Sequence, residues 1–105
     1  MLRKSLEEML NDNGEKLIID LRKKEDYQKE TYPGAINIYY DDFDRYRNIL
    51  PKNRRMYLFC YTGISADEIA EELAENGYEV YSIEEGYQAI LRWKVHNLLE
   101  NSPKR

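Results

Sequence analysis

Cys60 is the residue in this sequence best placed to be chemically reactive, in the run Cys60-Tyr61-Thr62-Gly63-Ile64-Ser65. A thiol attacks only as a thiolate, a form promoted by helix N-termini and by nearby cations. The apolar stretch Met56-Tyr57-Leu58-Phe59 leads into Cys60 and helical spacing begins at Ser65, so the cysteine is expected in a strand-to-helix loop. Gly63 lets that loop curl so that its backbone N–H groups point at the sulfur. A cradle of this kind stabilises a thiolate, a persulfide or an incoming oxyanion. The competing reading is a free cysteine that ends an apolar strand as a small hydrophobe. The residues alone leave both readings open.

The elements that must hold this loop can be read on either side of it. Arg3 to Leu10 carries Leu6, Met9 and Leu10 at helical spacing and reads as a helix, closed by Asn11-Asp12-Asn13-Gly14. Leu17-Ile18-Ile19 before Asp20 is a short apolar run of the sort found in a strand buried on both faces. Asp26 to Glu30 reads as one helical turn. Tyr32-Pro33-Gly34 is a turn signal ahead of a second strand, Ala35-Ile36-Asn37-Ile38. Asp41 or Asp42 is expected to cap a helix running to Leu50 and stopped by Pro51. After the strand Met56 to Phe59, Ser65 to Asn76 is the clearest helix, with Ile69 and Leu73 four apart, Ala66, Ala70 and Ala74 beside them, and Gly77 as its stop. Tyr78 to Ile83 gives a fourth strand, and Gly86 opens a last helix in which Ile90, Trp93 and Leu98 are expected to cover the sheet. This alternation predicts an α/β fold with a central, mostly parallel sheet flanked by helices on both faces. Ligands of such sheets bind beyond the carboxyl ends of the strands, which is where Cys60 falls.

Composition narrows the function. A length of 105 residues predicts one domain, taken as residues 1–100, with a disordered tail over 101–105. No apolar run approaches the roughly 20 residues of a membrane-spanning helix, and the N-terminus lacks the pattern of a secretion signal. A cytoplasmic protein with no membrane partner is expected. A single cysteine leaves no intramolecular disulfide and no Cys cluster for zinc or iron–sulfur, so neither metal nor cofactor is expected. A net charge of −4, with Lys and Arg scattered among acids, argues against a nucleic-acid partner.

Taken in order, Asp20-Leu21-Arg22, Asp26-Tyr27, Tyr32-Pro33-Gly34-Ala35-Ile36-Asn37-Ile38, Tyr57-Leu58-Phe59-Cys60-Tyr61-Thr62-Gly63, Gly77-Tyr78-Glu79-Val80-Tyr81, Glu85-Gly86 and Trp93 resemble the rhodanese-like domains. The resemblance runs from about Ser5 to Trp93 and implies the three-layer rhodanese fold. It also implies that Cys60 is a sulfur carrier and that Tyr61, Thr62, Gly63, Ile64 and Ser65 bind the transferred sulfur. A small sulfur donor and a thiol acceptor, a protein acceptor included, are the partners it implies. Active members show Cys, two variable residues, Gly, one variable residue, Arg, then Ser; here Ser65 stands at the arginine position. Ser65 also fits a capping box with Glu68, which is the preferred reading of that residue. With Asp67 and Glu68 at the same helix end, the loop is expected to attract thiosulfate poorly. Related phosphatases need an arginine six positions after the cysteine, and Ala66 occupies that place. The expectation is therefore a sulfurtransferase or persulfide carrier, with a catalytically weak binding or regulatory module as the alternative. Redox sensing by Cys60 is weaker still, because the chain has no resolving cysteine.

Three other features are read as structural. His96 is expected on the surface, Asp20 and Arg22 as an ion pair anchoring a loop, and most of the ten tyrosines as half-buried strand and rim residues. Tyr61 is the exception, since its ring adjoins the sulfur and could shield it or select an acceptor.

Overall fold

The computed structural model describes residues 2–101. Five parallel strands form one sheet in the order β1-β5-β4-β2-β3, with β1 at Arg3–Lys4, β2 at Lys16–Asp20, β3 at Ile36–Asn37, β4 at Arg55–Phe59 and β5 at Val80–Ile83. The helices are α1 at Leu6–Leu10, α2 at Lys24–Lys29, α3 at Ile64–Glu75 and α4 at Tyr87–Glu100, and two 3₁₀ segments, Tyr40–Arg45 and Arg47–Ile49, precede β4.

Strand alternation divides the core into two clusters. Ile19, Met56, Leu58, Cys60 and Val80 meet Ala66, Ile69, Ala70 and Leu73 of α3, with Phe43 and Leu50 from the 3₁₀ region beside them. Ile18, Tyr57, Phe59 and Ile83 face the other way, against Leu6 and Met9 of α1 and Ile90 of α4. Helices therefore cover both faces, as the apolar strand runs predicted. β4 lies at the middle of the sheet, with Tyr57, Leu58 and Phe59 fully buried.

The structure corrects several element boundaries. Arg3–Lys4 is an edge strand paired with Ser82 and Ile83, so the first helix starts at Leu6. Ser5 supplies the capping box there: its hydroxyl accepts from the Glu8 N–H at 3.1 Å, and the Glu8 carboxylate accepts from the Ser5 N–H at 3.0 Å. The helix expected from Asp41 or Asp42 to Leu50 is the pair of 3₁₀ segments, entered from Tyr39 with no side-chain cap. The second helix starts two residues earlier than expected, at Lys24. In α4, Ile90 is buried and Trp93 stacks on Tyr32 with ring centroids 5.2 Å apart, but Leu98 is exposed rather than laid on the sheet. Of the expected disordered tail, Asn101 is described as a turn and residues 102–105 lie outside the described part.

At the end of the sheet away from Cys60, a polar cluster joins the turn after α1 to β4 and β5. The Asp12 carboxylate accepts from Arg55 Nη1 at 2.6 Å, from the Tyr57 hydroxyl at 2.7 Å and from the Gly14 N–H at 2.9 Å. Arg55 Nε also donates to Glu79 at 2.8 Å. Arg55 foremost, then Tyr57 and Gly14, hold the Asp12 carboxyl well below the usual carboxylate range. Burial, and then the neighbouring Asp12, push the Tyr57 phenol up. A depressed folded-state pKa stabilises the fold above the unfolded pKa, near pH 4, and that contribution fades as pH falls below it. Asp12→Asn is therefore expected to lower the urea midpoint at neutral pH, and its difference from wild type should shrink steadily as the solution is acidified. A difference independent of pH would show that ionisation of Asp12 does not hold this cluster together.

Candidate active site

Cys60 follows β4 directly and carries on its alternation, so its side chain enters the α3 side of the core beside Met56 and Leu58. Only 5% of the residue is exposed. The Gly63 N–H donates to the Cys60 sulfur at 3.1 Å. Gly63 has φ +107° and is the N-cap of α3, so the same residue that points an amide at the sulfur turns the chain into a 12-residue helix. The sulfur thus lies at the positive end of that helix, where negative charge is stabilised.

A second loop locks the first in place. The Tyr87 N–H donates to the Cys60 carbonyl at 2.7 Å, and Gly86, with φ +55°, passes so close that a Cβ on it would stand 2.3 Å from the Cys60 oxygen and 3.1 Å from the Gly63 nitrogen. A Cβ on Gly63 would in turn meet the Glu85 nitrogen at 3.4 Å. Two backbone segments, one ending β4 and one ending β5, are pressed together, with no room for a side chain at Gly86.

The remaining loop residues have distinct placements. The Tyr61 hydroxyl donates to the Asp26 carboxylate and accepts from the Lys23 N–H at 3.4 Å, tying the loop to the start of α2. Asp26, more than partial burial, pushes the Tyr61 phenol up. Thr62 and Ile64 are exposed at the mouth. Ser65 lies inside the first turn of α3 and is not its cap, and Glu68 accepts a hydrogen bond from the Tyr40 hydroxyl at 2.6 Å. The expected capping box at Ser65 and Glu68 is therefore absent, because the loop ends two residues earlier, where Gly63 must both reach the sulfur and take a left-handed dihedral.

Among the described residues, the arginines near the loop, Arg22 and Arg3, are both paired with carboxylates. Arg22 is buried and forks onto Asp20, with Nη2 at 2.9 Å from the carboxylate, and its guanidinium lies 3.7 Å from the centre of the Tyr87 ring. The reading of Asp20 and Arg22 as an ion pair and loop anchor holds. A cavity of about 470 Å³ opens beside the loop, lined by Thr62, Gly63, Ile64, Asp67, Glu84 and Glu85 among others. Its one arginine, Arg3, pairs with Asp67 at 2.7 Å. The sequence reading missed this acidic cavity; the adjacent Glu84-Glu85 before Gly86 was the signal for it. Tyr39 lines a different cavity, and His96 lies on the surface within 3.5 Å of Glu100. Among the described residues no group of His, Cys, Asp and Glu is placed to hold a metal ion, and no helix is long and apolar enough to cross a membrane.

A parallel sheet whose central strand delivers one cysteine to the N-terminus of a helix defines an α/β domain organised around a single thiol. Residues 2–92 match the rhodanese-like domain family, and the chain belongs to it. A tRNA sulfurtransferase of Desulfurococcus amylolyticus is 36% identical over 80 residues, covering 76% of this chain and 16% of that protein. The thiosulfate sulfurtransferase GlpE of Coxiella burnetii is 29% identical over 89 residues, covering 84% of this chain and 80% of that protein. This chain thus spans a small part of the first relative's length and most of the second's. Among solved structures, a rhodanese-related protein of Thermoplasma volcanium shares the fold with a TM-score of 0.81 at 16% identity, over 98% of this chain and 96% of that one.

The interlock of the two loops yields a paired prediction. Gly86→Ala combines a positive φ, +55° with ψ −135°, with a backbone clash, and should cost well over the ~1–2 kcal/mol of a side chain in the left-handed region alone. Gly34→Ala also has a positive φ, +87°, but open space around it, so it should cost no more than about 1–2 kcal/mol. Urea unfolding of the two variants measures the difference, and equal losses would mean that close packing at Gly86 contributes nothing.

Proposed function

We propose that this protein is a sulfurtransferase that carries sulfane sulfur as a persulfide on Cys60. The observation that carries this reading is the Gly63 amide, 3.1 Å from the Cys60 sulfur at the start of α3. The Cys60 thiolate attacks the outer sulfur of a donor. The donor's sulfur–sulfur bond breaks, its electron pair leaves with the donor thiolate or with sulfite, and Cys60 becomes a persulfide. An acceptor thiolate then attacks that outer sulfur and returns Cys60 as a thiolate, so no outside oxidant or reductant is needed. The nucleophile is activated by its surroundings rather than by a paired base.

The backbone cradle of Tyr61, Thr62, Gly63, Ile64 and Ser65 binds the transferred sulfur in this reading. With Ser65 where active members have arginine, and with Asp67, Glu84 and Glu85 around the adjoining cavity, the donor is an organic or protein persulfide in preference to dianionic thiosulfate. A small donor or a protein can supply the sulfur, and a thiol, on a protein included, takes it. The near-complete burial of Cys60 favours a slender, terminal sulfur as the reacting group. The reducing conditions of the cytoplasm would keep the lone thiol available. The missing arginine also supports a second reading, a rhodanese-like module that binds partners and turns over slowly.

Intact-mass analysis after incubation with an organic persulfide or with thiosulfate separates these readings. One added sulfur atom from the persulfide, little from thiosulfate, and none on Cys60→Ser are expected. No added sulfur from either donor would overturn the carrier reading and leave the binding module. Ser65→Arg should raise the rate of loading from thiosulfate by about tenfold or more, the effect of one charge-assisted contact of ~1.4 kcal/mol or more. An unchanged rate would show that a missing cation does not set donor choice.

A further inference from the structure

A surface helix of a folded domain usually has one apolar stripe, turned to the core. α4 has two. Its core side carries Ile90 and Trp93, and a second row, Leu91, Val95 and Leu99, stands exposed at 47%, 48% and 72%. At the helical repeat this row, with Leu98 beside it, occupies an arc of about 100° next to the core-facing side. Gln88 is the polar residue within the same arc.

Two features of the row point to a second copy of this chain as its occupant. Leu91, Val95 and Leu99 are spaced four and four, so the pattern reads the same in both directions about Val95. An antiparallel two-fold axis through Val95 sets Leu91 against Leu99 of the copy, Leu99 against Leu91, and Val95 against itself, which is the isologous contact that a symmetric dimer requires. The neighbouring row is Arg92, His96 and Glu100. Reversed about nearly the same point, it brings Arg92 beside Glu100 of the copy at both ends, so the charges complement one another under the same operation. Arg92 and Glu100 are both largely exposed in the chain by itself, paired with Glu85 and His96 respectively. A partner of unrelated sequence would have no reason to match both symmetries.

We propose that this protein forms an antiparallel homodimer through the exposed Leu91–Val95–Leu99 face of α4. Two such helices pack side by side at about 8–10 Å, with the apolar row as the seam and the Arg92–Glu100 pairs along one flank. The area removed from water is at the low end for a specific interface, on the order of 1,000 Å² in all, so the dimer dissociates on dilution. The Cys60 loop lies at the N-terminal end of α4, beside Gly86 and Tyr87.

Analytical ultracentrifugation of the intact protein, over a series reaching on the order of 1 mM, tests this directly. A monomer–dimer equilibrium is expected. Val95→Glu places two carboxylates on the axis and should raise the dissociation constant at least about tenfold, with an unchanged far-UV spectrum showing that the exposed site tolerates the change. Arg92→Glu should weaken the dimer, and Arg92→Glu combined with Glu100→Arg should restore it, because only an antiparallel self-pairing re-forms both contacts. The double variant does not rebuild the internal pair with Glu85, so recovery reports the contact between copies. A monomer at every concentration, a dimer indifferent to Val95→Glu, or a charge swap that fails to restore association would each overturn the proposal.

Discussion

The contact on which the site depends is between two backbones. The Cys60 carbonyl accepts the Tyr87 N–H at 2.7 Å, and Gly86 fits against that carbonyl because it has no side chain. This fixes the end of β4 against the start of α4 and leaves the Cys60 loop no freedom on that side. On the other side Gly63 is held between the sulfur it donates to and the backbone of Glu85. The glycines act as a pair: one allows the approach and the other makes the turn. The ordering extends outward through Tyr87, whose ring lies on the Arg22 guanidinium.

Arg22 and Asp20 show how a buried charge can serve the fold without serving the thiol. The Asp20 carboxylate is fully buried and accepts from the Arg22 backbone N–H, from the Arg22 guanidinium and from the Thr31 hydroxyl. Asn37 donates to the carbonyls of both Asp20 and Arg22, tying β3 to the turn after β2. Burying two charges is costly unless each is fully satisfied, and removing one partner of such a pair typically costs ~3–5 kcal/mol. Arg22 is thus committed to Asp20, to the Glu30 carbonyl 2.6 Å away and to the Tyr87 ring. Its charge closes the carboxyl end of the sheet and is not spare for a substrate.

How far the sequence could be read depended on the range of the interaction involved. The strands around Ile18, Ile36, Leu58 and Val80 and the helix around Ile69 were legible, because runs and periods of apolar residues are local signals. Arg3–Lys4 was not, since two charged residues become a strand only by pairing with Ser82 and Ile83 some eighty residues away. The stretch from Asp41 to Leu50 has the caps and length of a helix, yet burial of Phe43 against the sheet and the Tyr78 hydroxyl donating to the Arg47 carbonyl at 2.9 Å accompany two tighter 3₁₀ segments. At the site itself, Cys60 and Gly63 were legible by type and spacing. Ser65 misled, because serine followed three positions later by glutamate is a valid cap signal that the true capping box at Ser5 and Glu8 also carries. Which of two equal motifs is used was decided by the glycine at 63.

The same geometry bears on which anion the loop can hold. A guanidinium supplies a full charge and a planar fork, and its effect extends over several ångströms into the mouth of a site. An amide supplies a directed dipole that acts at contact distance and is already fixed in place before the anion arrives. A cradle of the second kind favours an ion whose charge sits at the bottom of the loop and penalises one whose charge stays at the rim, among Asp67, Glu84 and Glu85. In the proposed reaction the terminal sulfur of a Cys60 persulfide would be an ion of the first kind, covalently tethered so that it need not be captured from solution. The outer oxygens of thiosulfate would have to wait at the acidic rim while its sulfur reacts below. On the proposed function, Ser65 and the carboxylates around the cavity would therefore act in the same direction, against a free dianion, while the Gly63 amide would remain in place for a sulfur bound at Cys60.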